Sequence, residues 1–287
     1  MADIILKNDR LEVTVTEPGS LYRRQRFEWC GVATSVILDG KHSFLSKEPM
    51  FWGQITGGYG LSNNFEAANG FEYGNTPVGE AFPRVGIGSL IRNDRSPMSM
   101  YHDFDITPAP MSYTAEADKV TFVTEPLPVN GYAWRVVKEM KLDGNKLHTT
   151  HWLTNVGEKS VMLEESNHTY TMIDDYKIGP DYEMTVPYNV GVDVQRGKVA
   201  VEYNKITVLD YPEMFTFNVR GWEGCQPHSW TVTHKPTGIG YRETIKQPIS
   251  KFFVWGCSTN FCPLVYVKVP SVPGETAVWT RTLEFFS

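Results

Sequence analysis

The chain has 287 residues, 41% of them hydrophobic and 13% aromatic, enough to build a sizeable core within one domain spanning 1–287. Its 33 acidic against 27 basic residues, net −6, argue against a nucleic-acid or anionic-membrane partner, which would favour a basic face. No run of 18 apolar residues occurs, and the opening MADIILKNDRLEV is dotted with charges, so a soluble, cytoplasmic protein is expected.

Period-two patterns follow one another along the chain. LEVTVTE (11–17) and GVATSVILDG (31–40) open the series, rich in β-branched residues and ended by polar or glycine positions. Residues 47–100 break it. There GGYGLSNNFEAANGFEYGNTPVGEAFP mixes Gly, Asn and Pro with aromatics, and reads as a long structured loop of the kind that carries function. DKVTFVTE (118–125) resumes the alternation, and residues 132–157 read as a hairpin turning at the Asp-Gly of KLDGNKL. SVMLEESNHTYTM (160–172), KVAVEYNKITVLDY (198–211) and SWTVTHKPTGIGYRETI (229–245) continue it. KFFVWGCS (251–258), PLVYVKVP (263–270) and TAVWTRTLEFF (276–286) close it. No stretch of twelve residues holds a clean 3.6 period, so the fold class expected is all-β with very little helix, a sandwich of antiparallel sheets.

Within EESNHTYTM, alternation places Glu164, Ser166, His168 and Tyr170 on one face and Glu165, Asn167 and Thr169 on the other. A face reading Glu, Ser, His, Tyr meets water or lines a polar cleft. His168 is then either a solvated sheet residue or a group that exchanges protons near neutral pH. His148 and His151 are three apart and point to opposite faces of a strand, so they form no metal pair. The four cysteines, Cys30, Cys225, Cys257 and Cys262, have no zinc spacing and no disulfide-framework density. GGYG and GIG lack the context of a phosphate-binding loop, and no nucleophile elbow is present.

ESNHTYTMID resembles the Asn-His-x-Tyr-Phe-type motif of the aldose 1-epimerases (galactose mutarotases). Further segments are similar in order: RFEWCGVATSVILDGKHSF (26–44), AFPRVGIGSLIR (81–92), LTNVGEKSV (153–161), THKPTGIGYRETIKQPISKFFVW (233–255) and PGETAVWTRTLEF (273–285). The resemblance implies a galactose mutarotase-like β-supersandwich with a cleft for a free sugar, and no metal or organic cofactor. It implies acid–base opening of a cyclic hemiacetal, with His168 as the imidazolium acid and a carboxylate as base. In the family that carboxylate follows a Cys-Pro pair; here Cys262 and Pro263 are followed by Leu264, which cannot accept a proton. Glu243 is the first substitute, with Glu66 and Glu72 behind it. Arg84, His102, Asn167, Arg26 and Trp255 are the expected sugar-binding residues, with Trp52 and Phe71 as further stacking platforms. Loss of the carboxylate favours the alternative of a non-catalytic carbohydrate-binding protein; a lyase or glycoside hydrolase on the same architecture is a third reading. The aromatic content fits a homodimer interface as well as a cleft.

Overall fold

In a computed structural model, residues 3–50 and 56–287 are described; Trp52 lies outside them. Among the described residues nearly all regular structure is antiparallel strand, arranged in two ten-stranded sheets and one three-stranded sheet, with a single 3₁₀ turn at Gly70–Glu72. Every segment anticipated from alternation carries strand, except that 198–211, read as one strand, is a hairpin of Val199–Glu202 and Lys205–Val208. Lys146–Asn155, for example, alternates half-buried and buried positions along all ten residues, as a sheet with one face on the core requires.

The first sheet sets side by side the strands Leu61–Ala67, Val161–Thr169, Asn260–Ser271, Ile249–Cys257 and Phe215–Arg220. The centre of the second sheet is formed by His228–His234, Ile239–Ile245, Thr276–Phe286, Lys146–Asn155 and Trp134–Asp143. Their inner faces meet. Arg281 of the second sheet bonds Glu165 of the first through Nε at 2.9 Å, and the apolar residues around them form one continuous buried cluster. The small sheet, Ala81–Arg84, Gly88–Ile91 and Ile106–Pro108, belongs to neither large layer.

The segment 47–100, expected as loop, is the main departure. It holds a central strand, Leu61–Ala67, and two strands of the small sheet. In LSNNFEA the apolar series Leu61, Phe65 and Ala67 is interrupted by Asn63, so the alternation does not stand out. One side carries Ser62, Asn64 and Glu66; the other presents Asn63 to buried charged groups, its amide bonding Glu165 Oε1 at 2.6 Å. A strand whose short apolar face is broken by one polar residue gives only a weak hydrophobic period.

Candidate active site

The outer face of the first sheet is floored by cross-strand neighbours. Ser166 lies opposite Asn64 on one side and Tyr266 on the other, His168 lies opposite Ser62, Tyr266 opposite Lys251, and Leu264 opposite Phe253. Side chains that share a face across adjacent strands approach within contact distance. The result is a cavity of about 550 Å³, walled by Phe71, Met98 and Tyr101 and floored by His168, Leu264 and Trp255. This volume lies in the usual range for small-molecule sites.

His168 is 3% exposed yet borders the cavity. Its ring stacks on Tyr170 at 3.9 Å between centroids and meets the edges of Phe27 and Trp255, each at 5.9 Å. Tyr170 is seated by a close backbone approach: a Cβ on Gly58 would fall 2.2 Å from its hydroxyl oxygen, which is why glycine stands there. Burial, and then the positive charge of Arg26, push the imidazole well below its ordinary value of 6.5. His168 is therefore neutral at pH 7, and its buried Nδ1 has no hydrogen-bond partner among the described residues. The imidazolium expected from the resemblance is absent at neutral pH.

Of the expected binding residues, Arg26, Arg84 and Trp255 border the cavity. Two others do not. Asn167 points to the inter-sheet side of its strand, as its place out of phase with His168 dictates, and its Oδ1 is buried without a partner among the described residues. His102 packs its ring against Phe104 at 5.9 Å, while its neighbours Met100 and Tyr101 supply the cavity wall. Among the acidic candidates, Glu66 borders the cavity; Glu72 is instead held by the Tyr132 hydroxyl at 2.8 Å. Phe71, expected as a stacking platform, forms part of the wall.

Glu243 is a correction. It sits on the second sheet, fully buried between the layers, and accepts a hydrogen bond from Arg281 Nη1 at 2.9 Å. The strand pattern that exposes Arg242 to solvent turns Glu243 inward, away from the outer face that carries His168. Burial, helped by the like charge of Glu165, raises its carboxyl to about 7 against the opposing pull of Arg281. Because the folded value exceeds the unfolded one, the folded chain holds this proton longer. The stability contributed by this proton is complete below about pH 4.5, is lost as pH rises towards about 7, and levels off beyond it. Glu243→Gln should flatten this fall, read as the change in urea midpoint between pH 5 and pH 8. An unchanged slope would contradict the assignment.

Sequence reasoning missed Glu48, Gln25 and Lys251. Glu48 Oε2 accepts from the Thr56 backbone N–H at 3.0 Å, the Thr56 hydroxyl at 2.7 Å and the Gly58 N–H at 3.0 Å, so it ties the loop over Tyr170 to the site. Its isolated position in SKEP gave no signal. Lys251 did have one: it stands two and four residues before Phe253 and Trp255, on their face of the strand.

No His/Cys/Asp/Glu group capable of holding a metal ion occurs among the described residues, and no helix among them is long and apolar enough to cross a membrane. No family model and no curated protein matches the chain. Solved structures do. A putative aldose 1-epimerase from Escherichia coli K12 is similar at 14% identity over 99% of both chains, with a TM-score of 0.62. A galactose mutarotase related enzyme from Lactobacillus acidophilus is 10% identical over 100% of this chain and 98% of its own, TM-score 0.60. A galactose mutarotase-like protein from Lactobacillus casei ATCC 334 is 13% identical over 99% and 100%, TM-score 0.59. At such identities the likeness establishes the fold, which is the galactose mutarotase-like sandwich expected from the sequence.

Proposed function

We propose that this chain, built on the galactose mutarotase-like fold, binds a cyclic sugar in the His168 cavity and interconverts its α and β anomers. The observation that carries this reading is a neutral imidazole at the floor of a cavity that combines ring faces with hydroxyl-binding groups. Trp255 and Phe71 offer apolar rings for the C–H faces of a pyranose, and Asn64, Gln25 and Glu66 offer donors and acceptors for its hydroxyls.

A neutral His168 begins the cycle as a base. It takes the proton of the anomeric hydroxyl as the bond between C1 and the ring oxygen breaks and the C1 oxygen becomes a carbonyl. The two oxygens share one carbon, so the same imidazole can hand that proton on to the former ring oxygen, and Arg26 meets the negative charge that passes through it. Rotation about C1–C2 and the reverse steps close the ring on its other face. This scheme needs no carboxylate at Leu264, where the resemblance would put one.

Exchange spectroscopy on the anomeric protons of a panel of aldoses and acidic sugars tests the reading. The rate per enzyme should be flat from about pH 6.5 to pH 9 and fall only on the acid side, because protonation removes the base. A rate that instead declines as pH rises through 6.5 would restore the imidazolium acid and contradict the scheme. One observation favours a second reading, a sugar-binding protein without turnover: Leu264 borders the cavity where the resemblance puts the base. Tight binding with exchange no faster than buffer would decide for it.

A further inference from the structure

Three basic side chains are buried among the described residues: Arg84, Lys138 and Arg281. Two are paired with carboxylates. Lys138 Nζ is 3.1 Å from Glu28 Oε2, and Arg281 holds Glu165 and Glu243, each at 2.9 Å. Such pairing is what a buried cation ordinarily requires.

Arg84 is the exception. Its Nε donates to the Gln25 carbonyl at 3.0 Å, and its Nη2 to the Arg26 carbonyl at 3.3 Å and Asn64 Oδ1 at 3.2 Å; its guanidinium lies 4.9 Å from the centre of the Phe71 ring. All four partners are neutral. Glu66 is the carboxylate acting on it most strongly, but forms no ion pair with it. Burial lowers this guanidinium only to about 10, so it remains charged at neutral pH.

Two further cations border the same cavity, Arg26 half-buried and Lys251 exposed. Arg26 donates Nη1 to the Thr56 hydroxyl at 3.1 Å and lies 4.8 Å from the centre of the Phe27 ring. Lys251 rests on Phe253 and Tyr266, at 5.2 and 5.0 Å. Neither has a carboxylate partner among the described residues, and residues 51–55, Phe-Trp-Gly-Gln-Ile, contain none to offer. Of the two carboxylates bordering the cavity, one oxygen of Glu48 already accepts three hydrogen bonds, and Glu66 accepts one from Asn64 at 3.2 Å.

We infer that the sugar bound here is an acidic one, whose carboxylate or phosphate group supplies the negative charge that Arg84 and Arg26 lack. The inference rests on the sugar-binding reading and narrows its substrate class. Guanidinium groups suit both anions because their fixed fork matches two oxygens at once, and a water-poor wall strengthens the contact.

Calorimetric titration of the full chain with glucuronate, galacturonate, glucose 6-phosphate and galactose 6-phosphate, against glucose and galactose, tests it. Inorganic phosphate serves as the sugar-free control. At least one acidic sugar should bind tenfold or more tighter than its neutral parent, and the uronate and phosphate arms identify which anion is preferred. The margin should shrink with added salt and disappear in Arg84→Gln. If Arg84→Gln fails to fold, the half-buried Arg26→Gln should still cut the margin several-fold. Acidic and neutral sugars binding equally would overturn the inference and leave the sugar reading intact. Inorganic phosphate binding in the absence of any sugar binding, or no binding at all, would overturn both.

Discussion

Replacing His168 with alanine should lower anomer exchange by about 10²–10⁴-fold, the contribution a positioned proton-transfer group usually makes. The effect should fall on turnover more than on binding, because Trp255, Arg84 and Asn64 still line the cavity. The wall around the ring is rigid: Tyr170 stacks on it and Phe27 and Trp255 meet its edges, so truncation leaves a defined hole and not a collapsed site. His168→Gln, which retains a polar group of similar reach but cannot shuttle the proton, should be nearly as inactive. A His168→Ala variant that exchanges anomers within threefold of wild type would remove the histidine from the chemistry.

The second large effect belongs to the charges between the sheets. Arg281 gives Nε to both oxygens of Glu165, Nη1 to Glu243, and Nη2 to the carbonyls of Glu165 and Val265. Glu165 also accepts from the Trp279 indole at 3.0 Å and from Asn63, whose carbonyl oxygen accepts from Lys138. Lys138 in turn joins Glu28, which meets His151 Nε2 at 3.2 Å. Breaking a buried pair strands the other charge in the core, so Arg281→Leu should cost about 3–5 kcal/mol of unfolding free energy. The exposed pair Lys7–Glu12 sets the contrast, because Lys7→Ala should cost less than about 1 kcal/mol. Urea unfolding measures both. A loss at Arg281 as small as that at Lys7 would mean that the network contributes no more than a surface pair.

The same network explains what the sequence concealed. The sandwich was legible because strands such as Lys146–Asn155 and Thr276–Phe286 alternate cleanly over ten or more residues. His168 was legible because Glu164, Ser166 and Tyr170 share its face, a series too polar for a dry layer. Leu61–Ala67 was not legible, since one of its faces serves the cavity and Asn63, which serves the buried charges, breaks the apolar series of Leu61, Phe65 and Ala67 on the other. Glu243 misled for a related reason. A carboxylate on a strand near the right end of the chain looks like a base until its partner is known, and Arg281 lies 38 positions away in sequence. The charge state of His168 was equally hidden, because its desolvation depends also on Phe27 and Trp255, which arrive from two distant segments.

The most direct test is a crystal structure of the chain saturated with the tightest-binding sugar from the titration. A pyranose is expected in the cavity, its ring against Trp255 or Phe71 and its anomeric oxygen within about 2.6–3.2 Å of a His168 ring nitrogen. An acidic group, where the sugar has one, should lie against Arg84. A sugar bound elsewhere on the molecule, or in this cavity with its anomeric carbon turned away from His168, would contradict the account.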